Sequence, residues 1–256
     1  MLSSLFSHGV GPPGELPMSV TTLGLVAAAA LIISFAALVS GWREARFPNA
    51  SNGKVLLHLN SLAGRFGLLV GRLLGLALVF LAVLSSFIVE DDTLVNIAPR
   101  IVFVALWVYV PVGSFFFGDL WRWLSPFETL ASFKDRRSTG GPSRGWNLNW
   151  AAFLMALFLW LELAYHRPAG RTPLAVLLTF WVAWSGIGAL WGGTEWLRSH
   201  DPLAAFTRLV AAMSPVHVHK GALMVRKPLV GLGQVPIQKG LAALVLVVLG
   251  LSLIHI

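Results

Sequence analysis

G-W-N-L-N-W-A-A-F-L-M-A-L-F-L-W-L-E-L-A-Y-H, residues 145–166, runs for seventeen residues without a charge before Glu162 interrupts it. A bilayer core of roughly 30 Å needs about 20 helical residues, so this run spans a membrane by borrowing its flanks. Trp146 and Trp150 mark one interface, Trp160 and Tyr165 the other. The stretch decides the fold class because the rest of the chain repeats it. Of all residues, 56% are hydrophobic and 12% charged, about half the charge of a soluble domain.

Working outward, apolar runs predict spans at 18–42, 68–89, 99–118, 146–165, 173–194 and 240–256. The expected fold is all-α: a polytopic transmembrane helical bundle over residues 1–256, one domain of five full spans and a sixth. The chain has no cysteine, which excludes disulfides, thiolate metal sites and cysteine nucleophiles. No Lys or Arg precedes Arg43, so the first segment, with its Gly11-Pro12-Pro13-Gly14 turn, lacks the basic region of a signal peptide.

The net charge of +8 is explained by where the charges fall. Sixteen of the nineteen basic residues lie in segments 43–72, 119–144 and 195–239, and only Arg100, Arg167 and Arg171 lie in the intervening ones. By the positive-inside rule the three basic segments are cytoplasmic and the N-terminus is outside. The charge therefore answers to topology and anionic lipid, and no nucleic acid is expected as partner.

Gly67, Gly71 and Gly75, and again Gly188 and Gly192, stand four apart on apolar helices, the pattern of close helix packing. Pro111 should kink the third span. L-S-P-F-E-T-L-A (124–131) and H-D-P-L-A-A-F-T (200–207) each follow a span. Ser125 or Asp201 can cap a helix beginning at Pro126 or Pro202, with Glu128 completing a capping box. These predict two short amphipathic helices, 126–134 and 202–213, lying at the inner membrane surface. Their likeness at an offset of 76 residues suggests an internal duplication.

Polar residues that can carry chemistry collect on the outer side. Glu162 and His166 share a helix face if the fourth helix continues through Tyr165. A carboxylate and an imidazole there can hold a divalent metal and activate water, with His8, Glu90, Asp91 and Asp92 as further ligands. The alternative is an ordinary water-exposed helix rim. Arg72, one turn inside the second span, reads as a snorkelling side chain. His217 and His219 would face one way in an extended strand but sit in a basic loop. No phosphate loop, G-x-S-x-G elbow or H-E-x-x-H pair is present.

S-H-G-V-G-P-P-G-E-L-P (7–17), S-F-A-A-L (34–38), G-D-L-W-R-W-L-S-P-F (118–127), F-L-W-L-E-L-A-Y (158–165) and P-L-A-V (173–176) occur in that order. In this the chain resembles bacterial, often actinobacterial, polytopic proteins labelled fenitrothion hydrolase-like, from about His8 to Leu232. The resemblance implies an inner-membrane protein and hydrolysis of an organophosphate triester, with no catalytic set to carry over. It also implies a leader ahead of His8. The ending L-S-L-I-H-I (251–256) resembles a translated sequencing adaptor, so a truncated reading frame is expected. Three functions stay open: metal-assisted phosphotriester hydrolysis at Glu162 and His166, membrane transport, and a non-catalytic assembly or metal-handling role beside other membrane subunits.

Overall fold

The structure, a computed structural model, describes residues 20–41, 54–58, 61–89, 96–137, 147–219 and 221–252. It divides into two units, Met1–Pro48 and Asn49–Ile256. The first contributes one helix, α1 (Val20–Gly41), which carries no charged residue. His8, Glu90, Asp91 and Asp92 lie outside the described residues.

The second unit is mostly helical. Its helices are α2 (Leu62–Ile88), α3 (Val110–Phe117), α4 (Leu120–Leu124), α5 (Pro126–Arg137), α6 (Asn149–Ala164), α7 (Arg171–His200), α8 (Pro202–Met213) and α9 (Leu241–Ser252). Among the described residues, three stretches are long and apolar enough to cross a membrane: Leu62–Ile88, Arg100–Phe117 and Arg171–His200. Their outward faces are strongly apolar. Leu62, Phe66, Phe80 and Ile88 on α2 and Ile187 and Trp191 on α7 are all exposed, a surface compatible with lipid rather than water.

Arg100–Tyr109 winds as a wide π-helix, with the Val110 N–H donating to the Ala105 carbonyl. Ordinary α-helix resumes at Val110, one residue before Pro111. Proline has no N–H to give, so a change of winding is best tolerated there. Next to Arg100, buried Asn96 closes the neighbouring helix end. Its Oδ1 accepts from Ser85 Oγ at 2.9 Å and from the Ala98 N–H at 3.0 Å.

The two amphipathic helices are α5 and α8. Each is the second limb of a helical hairpin packed into the bundle. After α3, Gly118 takes φ 85°, and the chain turns back so that the Leu120 N–H donates to Ser114 Oγ at 3.1 Å. α4 forms the return limb, Ser125 the tip and α5 the outgoing limb. α7 does the same within one element: Gly193 takes φ 70° and ψ −159°, and residues 194–200 fold back against 171–192. The Trp184 indole then donates to the His200 carbonyl at 3.2 Å. Asp201 is the tip and α8 the outgoing limb. Positive φ is a glycine conformation, so both reversals sit where a Cβ would be strained.

The hairpins pack reciprocally. Phe127 of α5 meets Trp181 of α7 at 5.4 Å between centroids, and Phe206 of α8 meets Trp107 of the π segment at 5.2 Å. Glycines seat the return limbs: a Cβ on Gly75 would collide with the Leu124 carbonyl, and one on Gly188 with the Trp196 ring. Gly67 faces nothing within 4 Å. The core accordingly runs through Val79, Ala82, Leu106, Trp121, Phe127, Leu178 and Trp196. A second cluster joins α6, α8 and α9 through Ala151, Met155, Ala205 and Leu244.

The unit also contains a small antiparallel sheet that an all-α reading omits. Its strands are β1 (Lys54–His58), β2 (Val216–His219) and β3 (Ala222–Val225), in the order β1-β3-β2. Val216 pairs with Val225 and His219 with Ala222, a hairpin turned by Gly221 at φ 75°. Lys54 pairs with Val225 on the other side of β3, which ties two of the three basic segments together.

Candidate functional site

Glu162 and His166 are not assembled as a helical pair. α6 ends at Ala164, and Tyr165 takes extended backbone at φ −76° and ψ 135°. Residues four apart share a face only on a continuous helix, so Glu162 and His166 lose that geometry. Glu162 is half-buried and His166 exposed, its ring 4.6 Å from that of Tyr165. Among the described residues, no group of three or more His, Asp or Glu side chains is placed to hold a metal ion.

The charged chemistry gathers at the opposite ends of the long helices. The first turns of α2, the ends of α3 and α7, and the start of α6 surround two adjoining cavities of about 230 Å³ and 260 Å³. Arg122, Trp123, Arg198 and Val218 line both. The first adds Asp119, Arg208, His217 and Arg226; the second adds Arg72 and Glu128. Five guanidinium groups thus face two carboxylates.

Local sequence explains each placement. Gly118 brings β2 close, since a Cβ there would meet the Val216 carbonyl at 2.8 Å. Asp119 caps α4 by accepting from the Arg122 N–H at 3.2 Å, which sets the direction of that helix and of Arg122. Asp135 accepts from the Thr194 N–H at 3.3 Å, anchoring the return limb that carries Arg198. Arg198 Nε then reaches Glu128 Oε1 at 3.7 Å. Arg226 is chiefly structural. Its guanidinium donates to the Ala212 carbonyl at 3.1 Å and its Nε to the Ser214 carbonyl at 3.2 Å, capping the negative end of α8. Gly231 leaves the space it fills.

Burial pushes the carboxyls of Asp119 and Glu128 above the usual range. Arg122, Arg198 and Arg208 oppose the rise at Asp119, and Arg198 and Arg122 oppose it at Glu128. Burial, with the charge of Arg198 next, pulls Arg208 down. Like charges gathered in partly desolvated space repel, and an anion relieves that repulsion. Guanidinium forks match the planar oxygen pairs of phosphate and carboxylate, so the cavities suit an oxyanion.

A second polar centre lies at the tip of the α7–α8 hairpin. Asp201 is fully buried. It accepts from the Trp181 indole at 2.9 Å, from the Ala204 N–H at 2.7 Å, and from the Ser185 hydroxyl. Its satisfied carboxylate fixes the hairpin tip to the middle of α7, a positioning role.

Sequence reasoning placed Arg72 as a snorkelling side chain and did not group the arginines. One signal was present. Arg122 follows Trp121 in G-D-L-W-R, and Arg198 comes two residues after Trp196 in G-T-E-W-L-R, the two glycine-to-tryptophan return limbs. Compared with known proteins, the chain finds no match among family models, curated proteins or solved structures.

Proposed function

We propose that the chain is a multi-pass membrane protein, with its N-terminus outside, that binds an anionic ligand in the arginine-lined cavities at its cytoplasmic end. The observation that carries this reading is the convergence of Arg72, Arg122, Arg198 and Arg208, from α2, α4, α7 and α8, on two adjoining cavities that share Arg122 and Arg198. Arginines drawn from every basic segment share one end of the unit, as expected if those segments lie on one side of a membrane. Binding is the activity this supports.

The test is equilibrium binding of phosphate-bearing ligands, soluble and lipid, to the full chain in neutral detergent. Arg122→Gln with Arg198→Gln should weaken binding about a hundredfold, since each charge-assisted contact is worth roughly 1.5–3 kcal/mol. Absence of any saturable anion binding by the unaltered chain defeats the reading. Sidedness has its own check in a chain without cysteine. A cysteine at Arg167 should react with an impermeant maleimide on intact cells, and one at Lys227 only after lysis; the reverse pattern inverts the topology.

The fenitrothion hydrolase-like resemblance supports a second reading, metal-assisted triester hydrolysis at the outer rim. On its side stands the His166 ring just past the end of α6, 4.6 Å from the Tyr165 ring and tilted 45° to it. Thiophosphate triester cleavage that is lost with chelator and in Glu162→Ala with His166→Ala would establish it. Unchanged cleavage in that double variant removes both residues from the mechanism.

A further inference from the structure

The cavities lie beside the apolar outer face of the unit. Their walls are the ends of the apolar helices: Gly64, Leu68 and Arg72 from the first turns of α2, Phe117 from the last residue of α3, and Leu148 from the cap of α6. Leu62 and Phe66, exposed on the same turns of α2, carry the apolar outer face of the unit alongside these cavities. The lining is also two-sided in chemistry. Arg122, Arg198 and Arg208 stand beside Phe117, Leu148 and Leu209 in the same cavity. A soluble oxyanion uses the arginines alone; a lipid uses both.

We propose that these cavities hold the phosphate headgroup of an anionic membrane lipid. Guanidinium groups of Arg122, Arg198 and Arg208 take the phosphate oxygens, and the apolar side chains take the first methylenes of the tails. Basic pockets between transmembrane helices on the cytoplasmic face, where anionic lipids concentrate, recognise headgroups in this way. Trp123, which lines both cavities, belongs to the residue type that favours the headgroup region. The inference rests on the reading of the cavities as an anion site in a membrane protein and names the source of the anion.

The experiment uses the full chain in neutral detergent and three probes: dioctanoyl phosphatidic acid, inorganic phosphate, and dioctanoylglycerol, which has the chains without the phosphate. Phosphatidic acid should bind saturably and about tenfold or more tighter than inorganic phosphate, because buried methylenes add to the charge contacts. Dioctanoylglycerol should not compete. Arg122→Gln and Arg208→Gln should each weaken phosphatidic acid at least about tenfold, while Arg100→Gln at the far end of the bundle leaves it unchanged. The second arginine and the unaltered chain keep the test decisive if one variant fails to fold. Equal affinity for phosphatidic acid and inorganic phosphate overturns the lipid assignment and leaves the anion site standing. Equal affinity for phosphatidic acid and dioctanoylglycerol overturns it too. No binding of either phosphate probe removes the anion site along with it.

Discussion

Ser125 and Asp201 occupy matching places, each at the tip of a hairpin that begins at a left-handed glycine and continues through a proline-led helix. Both tips are buried, Ser125 at 2% exposure and Asp201 at 0%. What holds them differs. The first hairpin is seated by backbone: α4 presses its Leu124 carbonyl into the groove left by Gly75. The second is seated by side chains: the Trp196 ring lies over Gly188, and Asp201 collects hydrogen bonds from Trp181 and Ser185. One backbone solution is therefore stabilised by close approach in one copy and by polar connection in the other.

The seats give the largest contrast. Alanine at Gly75 meets a backbone carbonyl that cannot rotate away, and should cost about 3 kcal/mol by overpacking. Alanine at Gly188 meets a tryptophan ring that can shift, and should cost about 1–2 kcal/mol. Gly67→Ala, with open space around it, should instead stabilise by roughly 0.5–1 kcal/mol through helix propensity. Unfolding by SDS titration in mixed micelles would rank the three. Equal losses at Gly75 and Gly67 would mean that α4 does not sit in the groove.

The tips should reverse that order. Asp201→Ala strands the Trp181 indole, the Ser185 hydroxyl and the Ala204 N–H in a buried site, at about 3 kcal/mol. Asp201→Asn keeps an acceptor oxygen and should cost only about 1 kcal/mol. Ser125→Ala, a small change at the first tip, should cost about 1 kcal/mol or less. The same titration reads all three, and an Asp201→Ala loss no greater than that of Ser125→Ala would reduce Asp201 to a simple cap.

How much of this was legible follows from where the information sits. The apolar runs are local, so Leu62–Ile88, Arg100–Phe117 and Arg171–His200 could be found from composition alone. The hairpins were half-visible. S-P-F-E and D-P-L-A advertised helix starts, but an amphipathic helix reads the same whether its apolar face meets lipid or Trp181 and Trp107. The break at Gly193 was masked by its neighbours, since Gly188 and Gly192 already account for glycine in that helix as packing residues. β1 was hidden because K-V-L-L-H gains strand structure only from β3, far along the chain. Glu162 and His166 drew attention through spacing that holds only on a helix, and α6 stops between them. The arginines were visible as topology and invisible as a site, because their meeting depends on Gly118 and Gly193 turning α4 and the end of α7 back.

The smallest expected effect bears on that meeting most directly. Asp119 and Glu128 are the carboxylates of the arginine-lined cavities, and burial holds both carboxyls above their usual range. As pH falls through those raised values the two acids become neutral, while guanidinium groups do not titrate. The excess of positive charge grows, so anion affinity should rise as pH falls through those values. A probe of constant charge, dioctanoyl phosphatidylglycerol, isolates the protein's titration from the ligand's. Removing one nearby negative charge should strengthen binding roughly threefold to tenfold. Glu128→Gln removes that charge at every pH and releases Arg198 from its 3.7 Å contact. Above those values it should therefore bind more tightly than the unaltered chain by that threefold to tenfold, with a flatter pH profile. Asp201→Asn, at the tip of the second hairpin and outside both cavities, should leave the profile as it is. A flat profile in the unaltered chain would separate Asp119 and Glu128 from the bound anion; a profile flattened by Asp201→Asn instead would move the titrating group to the hairpin tip.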